Sequence, residues 1–235
     1  MTAAGQGVVK DAVAVLTAVA APHQESPTVA RRRRVIVSVV LVIGAALLGF
    51  TLTREPGDAS FYWLTFGLAA VWAIGALASG PLHLGFIRWH GRNRRPVITG
   101  TAVGLLLGAV FIVGGLIARE IPFVDGLISQ VLAFAGQGTV PLVVVITLVN
   151  GVAEEMFFRG ALYSALGHRP VLISTALYVV ATLASGNLML GFAAIILGSV
   201  CAYERRATGG IVAPILTHLV WGLIMVLALP PLFGE

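Results

Sequence analysis

The apolar residues of this chain fall in long blocks: Val35–Thr53, Phe61–Gly80, Val97–Ala118, Thr139 to about Arg159, Val171–Ala184, Leu188–Tyr203 and Ile211–Leu229. A soluble helix carries its apolar residues on one stripe, and a half-buried strand alternates them. Blocks that are apolar on every face belong in a bilayer, whose hydrocarbon core of about 30 Å is crossed by about 20 helical residues. Composition agrees. Hydrophobic residues make up 58% of the 235 positions and charged residues 11%, whereas soluble domains carry about 25% charge. The blocks predict an all-α fold, a polytopic transmembrane helical bundle of about seven spans. Gly126–Gly136 is too short to cross and reads as one further partial or interfacial helix.

Charge placement gives the orientation. "RRRR" (Arg31–Arg34) stops abruptly at the first apolar block, which sets the N-terminus on the cytoplasmic side. With seven crossings the C-terminus lies outside. Of the 15 Lys and Arg residues, all but Arg54 and Arg119 then fall inside. "RWHGRNRRP" (Arg88–Pro96), "GHRP" (Gly167–Pro170) and "ERRATGG" (Glu204–Gly210) read as inner loops, and "REPGDAS" as an outer one. Three segments follow: a cytoplasmic tail over 1–34, N-terminal transmembrane helices over 35–138, and a core over 139–235. Within the tail, "DAVAVLTAVAAP" has an A-x-A end but an abutting Asp11, so a surface-lying tail is favoured over a cleaved signal. The net charge of +5 belongs to loops at the bilayer surface and gives no ground for a nucleic-acid partner. "RRRR" doubles as a contact for anionic lipid. A single cysteine, Cys201, excludes an intramolecular disulfide and a cysteine metal cluster. Glycines in "GLLLG" (Gly104–Gly108) suit close helix packing, and Trp63, Trp72 and Trp89 read as packing or interface aromatics.

Chemistry concentrates in "VNGVAEEMFFRGAL" (Val149–Leu162). A charge at mid-bilayer costs about 2.5–3.5 kcal/mol on insertion scales, so Glu154, Glu155 and Arg159 need a reason to be there. Residues i and i+4 share a helix face, which pairs Glu155 with Arg159 and leaves Glu154 to face a cavity. His218, in "APILTHLVWGLIMV", comes to a similar depth from the inner side. A desolvated carboxylate can serve as a general base near neutral pH, and a histidine beside it can stabilise an oxyanion. The expectation is a water-filled pocket, open to the cytoplasm, shared by Glu154 and His218.

"EEMFFR" (Glu154–Arg159), followed by "G" and "LY", resembles the E-E-x-x-x-R signature of the CPBP family: CAAX proteases and bacteriocin-processing enzymes, also called type II CAAX prenyl endopeptidases or Abi proteins. "YVVATLASGN" and "RRATGGIVAPILTHLVW" resemble the segments that follow, over about residues 139–229. The resemblance implies a membrane endopeptidase with Glu154 as catalytic base, Glu155 and Arg159 supporting it, and His218 as oxyanion or ligand residue. It implies a peptide or protein substrate at the cell membrane, either a lipidated C-terminus or a leader-like peptide. A composition rich in Ala, Val, Arg and Gly points to a bacterial source.

Two positions depart from the family pattern. Its aromatic-x-x-x-His motif falls on Tyr178 and Thr182, and its Asn four residues after the last histidine falls on Gly222. Tyr178 and Thr182 become candidate water-binding residues, since threonine can hydrogen-bond a water but takes no proton at neutral pH. Although the family carries a metalloprotease label, catalytic zinc wants three protein ligands. Glu154 and His218 are the ligands on offer once Arg159 engages Glu155, so no cofactor is favoured and zinc is the minor alternative. Two rivals stand beside the protease: a catalytically silent relative acting as scaffold or immunity factor, and a transporter using Glu154 as an ion site.

Overall fold

The computed structural model describes residues 17–21 and 23–234; residues 11–16 and 22 of the "DAVAVLTAVAAP" segment lie outside them. Helix α1 runs Pro27–Thr51, with Pro27 in its first turn and the Ser26 hydroxyl accepting from the Val29 N–H. It begins before "RRRR", so the four arginines ride its first turns instead of preceding the span. Helix α2, Ala59–Ser79, is capped by Asp58, whose carboxylate accepts from the Ser60 N–H at 2.8 Å. The basic "RWHGRNRRP" stretch is no plain loop. Strands β1 (Ile87–Trp89) and β2 (Arg92–Arg94) pair antiparallel, with Ile87 opposite Arg94. Their turn, His90–Gly91, has positive φ at both residues (47° and 73°), as a tight two-residue hairpin requires.

The remaining helices are α3 (Val97–Ala118), α4 (Pro122–Gly136), α5 (Val140–Ala165), α6 (Pro170–Leu183), α7 (Leu188–Thr208) and α8 (Val212–Phe233). Six of the eight, all but α4 and α6, are long and apolar enough to cross a membrane. The expected seventh span, α6, has 14 residues and at 1.5 Å per residue reaches about 21 Å, short of the core. Helix α4 is the expected partial helix. The supposed inner loop "ERRATGG" is mostly helix: α7 continues to Thr208 and ends on Gly209, at φ 72°, where a side chain would be strained. Between Met156 and Leu162 helix α5 widens to π-helical winding.

The extensive α3–α8 packing rests on missing side chains. A Cβ on Gly104 would lie 2.8 Å from Val220 Cβ, and one on Gly108 would lie 2.3 Å from Ile224 Cδ1, so the "GLLLG" glycines are where the two backbones close up. On the other side, Trp72 is buried over Gly44 of α1, and its ring meets Phe157 at 4.6 Å and Phe158 at 5.1 Å. Phe158 meets Tyr178 at 4.8 Å. Helices α1, α2, α5 and α6 are thus joined by one aromatic run. Trp63, in contrast, is 76% exposed on the bundle surface, where an interfacial role is natural.

The arginine-bearing end is tied together by Arg33. Fully buried, it ion-pairs with Glu25 and donates to Ser79 Oγ at 3.1 Å and to the Pro81 carbonyl at 2.9 Å. One of the four arginines is therefore a clamp, not a surface charge. It draws in the segment before α1: the Ala20 N–H donates to Arg206 O at 2.9 Å, and His23 Nε2 sits 2.8 Å from Gly209 O. The His23 and His83 rings stack at 3.5 Å.

Candidate active site

The site is built where α5, α6, α7 and α8 meet. Glu155 and Arg159, four apart, lie on one face despite the π winding, and Arg159 Nη1 donates to Glu155 Oε1 at 2.8 Å. Both are buried. Arg159 Nη2 donates across to Gly198 O of α7 at 3.1 Å, and the guanidinium carbon stands 4.5 Å from the Tyr178 ring centre. This combines a charge pair, a carbonyl and an aromatic face, so the arginine is held from three sides.

His218 of α8 comes to this level, as expected, but to the other carboxylate. Its Nδ1 lies 2.8 Å from Glu155 Oε1, not against Glu154. An ionised carboxylate only accepts, so Nδ1 carries the proton in this contact and Nε2 is left for other partners. One oxygen of Glu155 is thereby shared between Arg159 and His218, and the second, Oε2, is buried without a partner. His218 thus hydrogen-bonds Glu155, while its ring also lies within electrostatic reach of Glu154.

Glu154 points the other way round the helix, as adjacent residues must. Tyr178 of α6 donates its hydroxyl to Glu154 Oε2 at 2.8 Å. The carboxylate is half-buried, and Tyr178 is the side chain bonded to it among the described residues. Tyr178 therefore orients Glu154 directly, more than the water-binding role given it from sequence. Thr182, one turn further on, donates to the Tyr178 carbonyl at 2.9 Å, so its hydroxyl proton is spent on its own helix.

Two features escaped the sequence reading. The π winding frees carbonyls that an α-helix would use internally, and the Arg159 carbonyl is taken by Arg205 Nε at 2.8 Å. Arg205 also reaches Ser164 Oγ at 3.3 Å. With "ERRATGG" assigned to a loop, Arg205 had no helix to place it; Gly209–Gly210 as a helix stop was the available signal.

A cavity of about 670 Å³ is not the expected polar pocket. It lies near the C-terminal ends of α1 and α3, among Phe111, Leu132, Thr147, Ile196, Trp221 and Gly222, and neither Glu154 nor Glu155 lines it. Gly222, where the family has Asn, leaves this wall apolar. Trp221 lines the cavity, and its ring lies 5.9 Å from that of His218. Among the described residues, no three His, Cys, Asp or Glu side chains are grouped to hold a metal ion.

Residues 136–224, the segment that contains Glu154, Glu155, Arg159, Tyr178, Thr182, Arg205 and His218, match the family model described as Type II CAAX prenyl endopeptidase Rce1-like. Over this segment the chain is similar to the CAAX-type protease family. Comparisons with curated proteins and with solved structures gave no match. The matched segment spans α5 to about the middle of α8 and so takes in the four-helix junction.

Proposed function

We propose that this chain is an intramembrane endopeptidase in which Glu154 activates water to hydrolyse a peptide bond at the membrane face marked by the arginines. The observation that carries the reading is the division between two adjacent carboxylates. Glu155 is held directly by Arg159 and His218, while the side chain hydrogen-bonded to Glu154 among the described residues is Tyr178. A carboxylate inside a membrane protein that no ion pair ties down marks function by default.

In this reading Glu154 takes a proton from water as the oxygen attacks the scissile carbonyl carbon. The carbonyl π electrons move to oxygen, and His218, as imidazolium anchored through Nδ1 to Glu155, donates from Nε2 to that oxyanion. Collapse of the tetrahedral intermediate breaks the C–N bond, and Glu154 returns its proton to the leaving amine. Two carboxylates and two cations keep the site electrically balanced, which limits the cost of holding charge in low dielectric. No step passes through a metal. The unit carrying this chemistry is residues 139–235, at the cytoplasmic face of the cell membrane.

The substrate class is a peptide terminus presented at the membrane surface, with a prenylated C-terminus and a leader-like peptide as the two forms to assay. The test is turnover of these peptides by the purified protein in detergent. Wild type cleaves one of them, chelator leaves the rate unchanged, and Glu154→Ala abolishes cleavage. An alanine variant that cleaves as fast as wild type overturns the assignment.

A further inference from the structure

A second carboxylate, Glu204 of α7, sits in the same helix junction with no cation on it. Its Oε1 lies 2.9 Å from Thr217 Oγ1, and its Oε2 is buried without a partner. The fully buried Thr217 hydroxyl is also 2.9 Å from the Gly100 carbonyl of α3. A threonine hydroxyl has one proton to give. A carbonyl can only accept, so the Thr217 proton belongs to Gly100 O. The short contact with Glu204 then needs a proton of its own, and the carboxyl is the group that can supply it. An ionised Glu204 would instead set two acceptors against one proton and bury a charge with no counter-ion.

Thr217 immediately precedes His218 on α8. It packs where α3 comes closest, with its Cα 3.2 Å from the place a Cβ on Gly104 would occupy. The chain Glu204–Thr217–Gly100 O therefore fixes the rotation and depth of α8 one residue from the imidazole that meets Glu155. We propose that Glu204 is held as a neutral carboxylic acid donating to Thr217, and that through this chain it positions His218 against Glu155. The positioning role rests on the site proposed above; the protonation state does not. The charged and titratable groups near Glu204 are Glu155 and Arg159 of α5 and Cys201 on its own helix. Arg205, its neighbour in sequence, is turned away to Arg159 O.

The experiment uses the full chain in nanodiscs with Glu204→Gln, Glu204→Leu and Thr217→Val. The infrared difference between wild type and Glu204→Gln at neutral pH contains the C=O stretch of a protonated carboxylic acid, and Thr217→Val shifts that band by removing its acceptor. Loss of carboxylate bands in place of this band overturns the proposal. The positioning arm reads the His218 ring nitrogens by ¹⁵N NMR. Glutamine, which can donate an N–H to Thr217, leaves the Nδ1 signal in place, and leucine moves it. An unmoved signal in the leucine variant overturns the positioning role. Both readouts stand without peptide turnover, so failure of the proposed protease activity is seen separately.

Discussion

Glu155 Oε1 is 2.8 Å from Arg159 Nη1 and 2.8 Å from His218 Nδ1. One buried oxygen thus joins α5 to α8 and neutralises the arginine. Among the described residues, the hydrogen bond to Glu154, its sequence neighbour, comes from the Tyr178 phenol. The two positions should therefore separate stability from activity. Arg159→Ala leaves Glu155 without its principal counter-charge and costs about 3–5 kcal/mol, the scale for breaking a buried pair. Glu154→Gln keeps an acceptor for Tyr178 and costs about 1 kcal/mol or less, yet lowers peptide turnover by about 10²–10⁴. Thermal unfolding in detergent, read beside turnover, checks both. Equal destabilisation by the two variants would contradict the division of roles.

The Trp72 contact gives a prediction remote from the chemistry. A Cβ on Gly44 would stand 2.1 Å from Trp72 Cη2, and the indole cannot retreat because Phe157 and Phe158 lie behind it. Gly44→Ala therefore destabilises by about 1–3 kcal/mol, the range for overpacking a filled core. Gly67 is the control, because a Cβ there would meet nothing within 4 Å; alanine at that position is neutral or stabilising by up to about 1 kcal/mol. The measurement is the unfolding midpoint of each variant. A Gly44→Ala protein as stable as wild type would mean that this helix pair is looser than its geometry implies.

How much was legible follows from the range over which each signal acts. Apolar blocks located the long helices because bilayer solvation acts on every residue of a span; Val97–Ala118 matches to the residue. The Glu155–Arg159 pair was legible because it is local, four apart on one face. His218 was matched in depth but not in partner, since one residue of rotation decides between Glu154 and Glu155, and no sequence spacing fixes the rotation of α8. Arg33 was misread because a run of four arginines looks uniform, while the helix they ride turns each to a different side. Thr217 and Glu204 lie on α8 and α7, and only tertiary packing brings them together.

The stacked His23 and His83 rings predict acid-sensitive docking of the segment before α1. Burial pushes the His83 imidazole below the ordinary histidine range, and the charges of His23, Arg205 and Arg33 push the same way, with Glu25 opposing. A histidine depressed in the docked state binds more protons when undocked. Docking is therefore fully favourable above the free value of about 6.5 and weakens as pH falls below it. Hydrogen exchange at Ala20, whose N–H bonds to Arg206 O, should quicken between about pH 7.5 and pH 5.5 beyond the intrinsic change. His83→Gln should remove most of that pH dependence. Unaltered protection at Ala20 across this range would show that the pair does not govern docking.

Thr182 stands where the pattern that this chain resembles carries a histidine. Its hydroxyl is bonded to the Tyr178 carbonyl at 2.9 Å, one turn along the helix from the tyrosine that holds Glu154. Thr182→Val should accordingly change turnover little, because the lost hydrogen bond is internal to α6. Thr182→His places an imidazole on the face that carries Tyr178, within reach of a water on Glu154. General acid–base assistance is worth about 10²–10⁴ in rate, so turnover should rise by at least the lower figure with a new pH dependence set by the added histidine. Measured on a peptide that wild type cleaves slowly, a gain shows that the threonine limits an otherwise competent site. No gain for His, together with a loss for Val as deep as that of Glu154→Ala, would instead put the threonine hydroxyl itself in the chemistry.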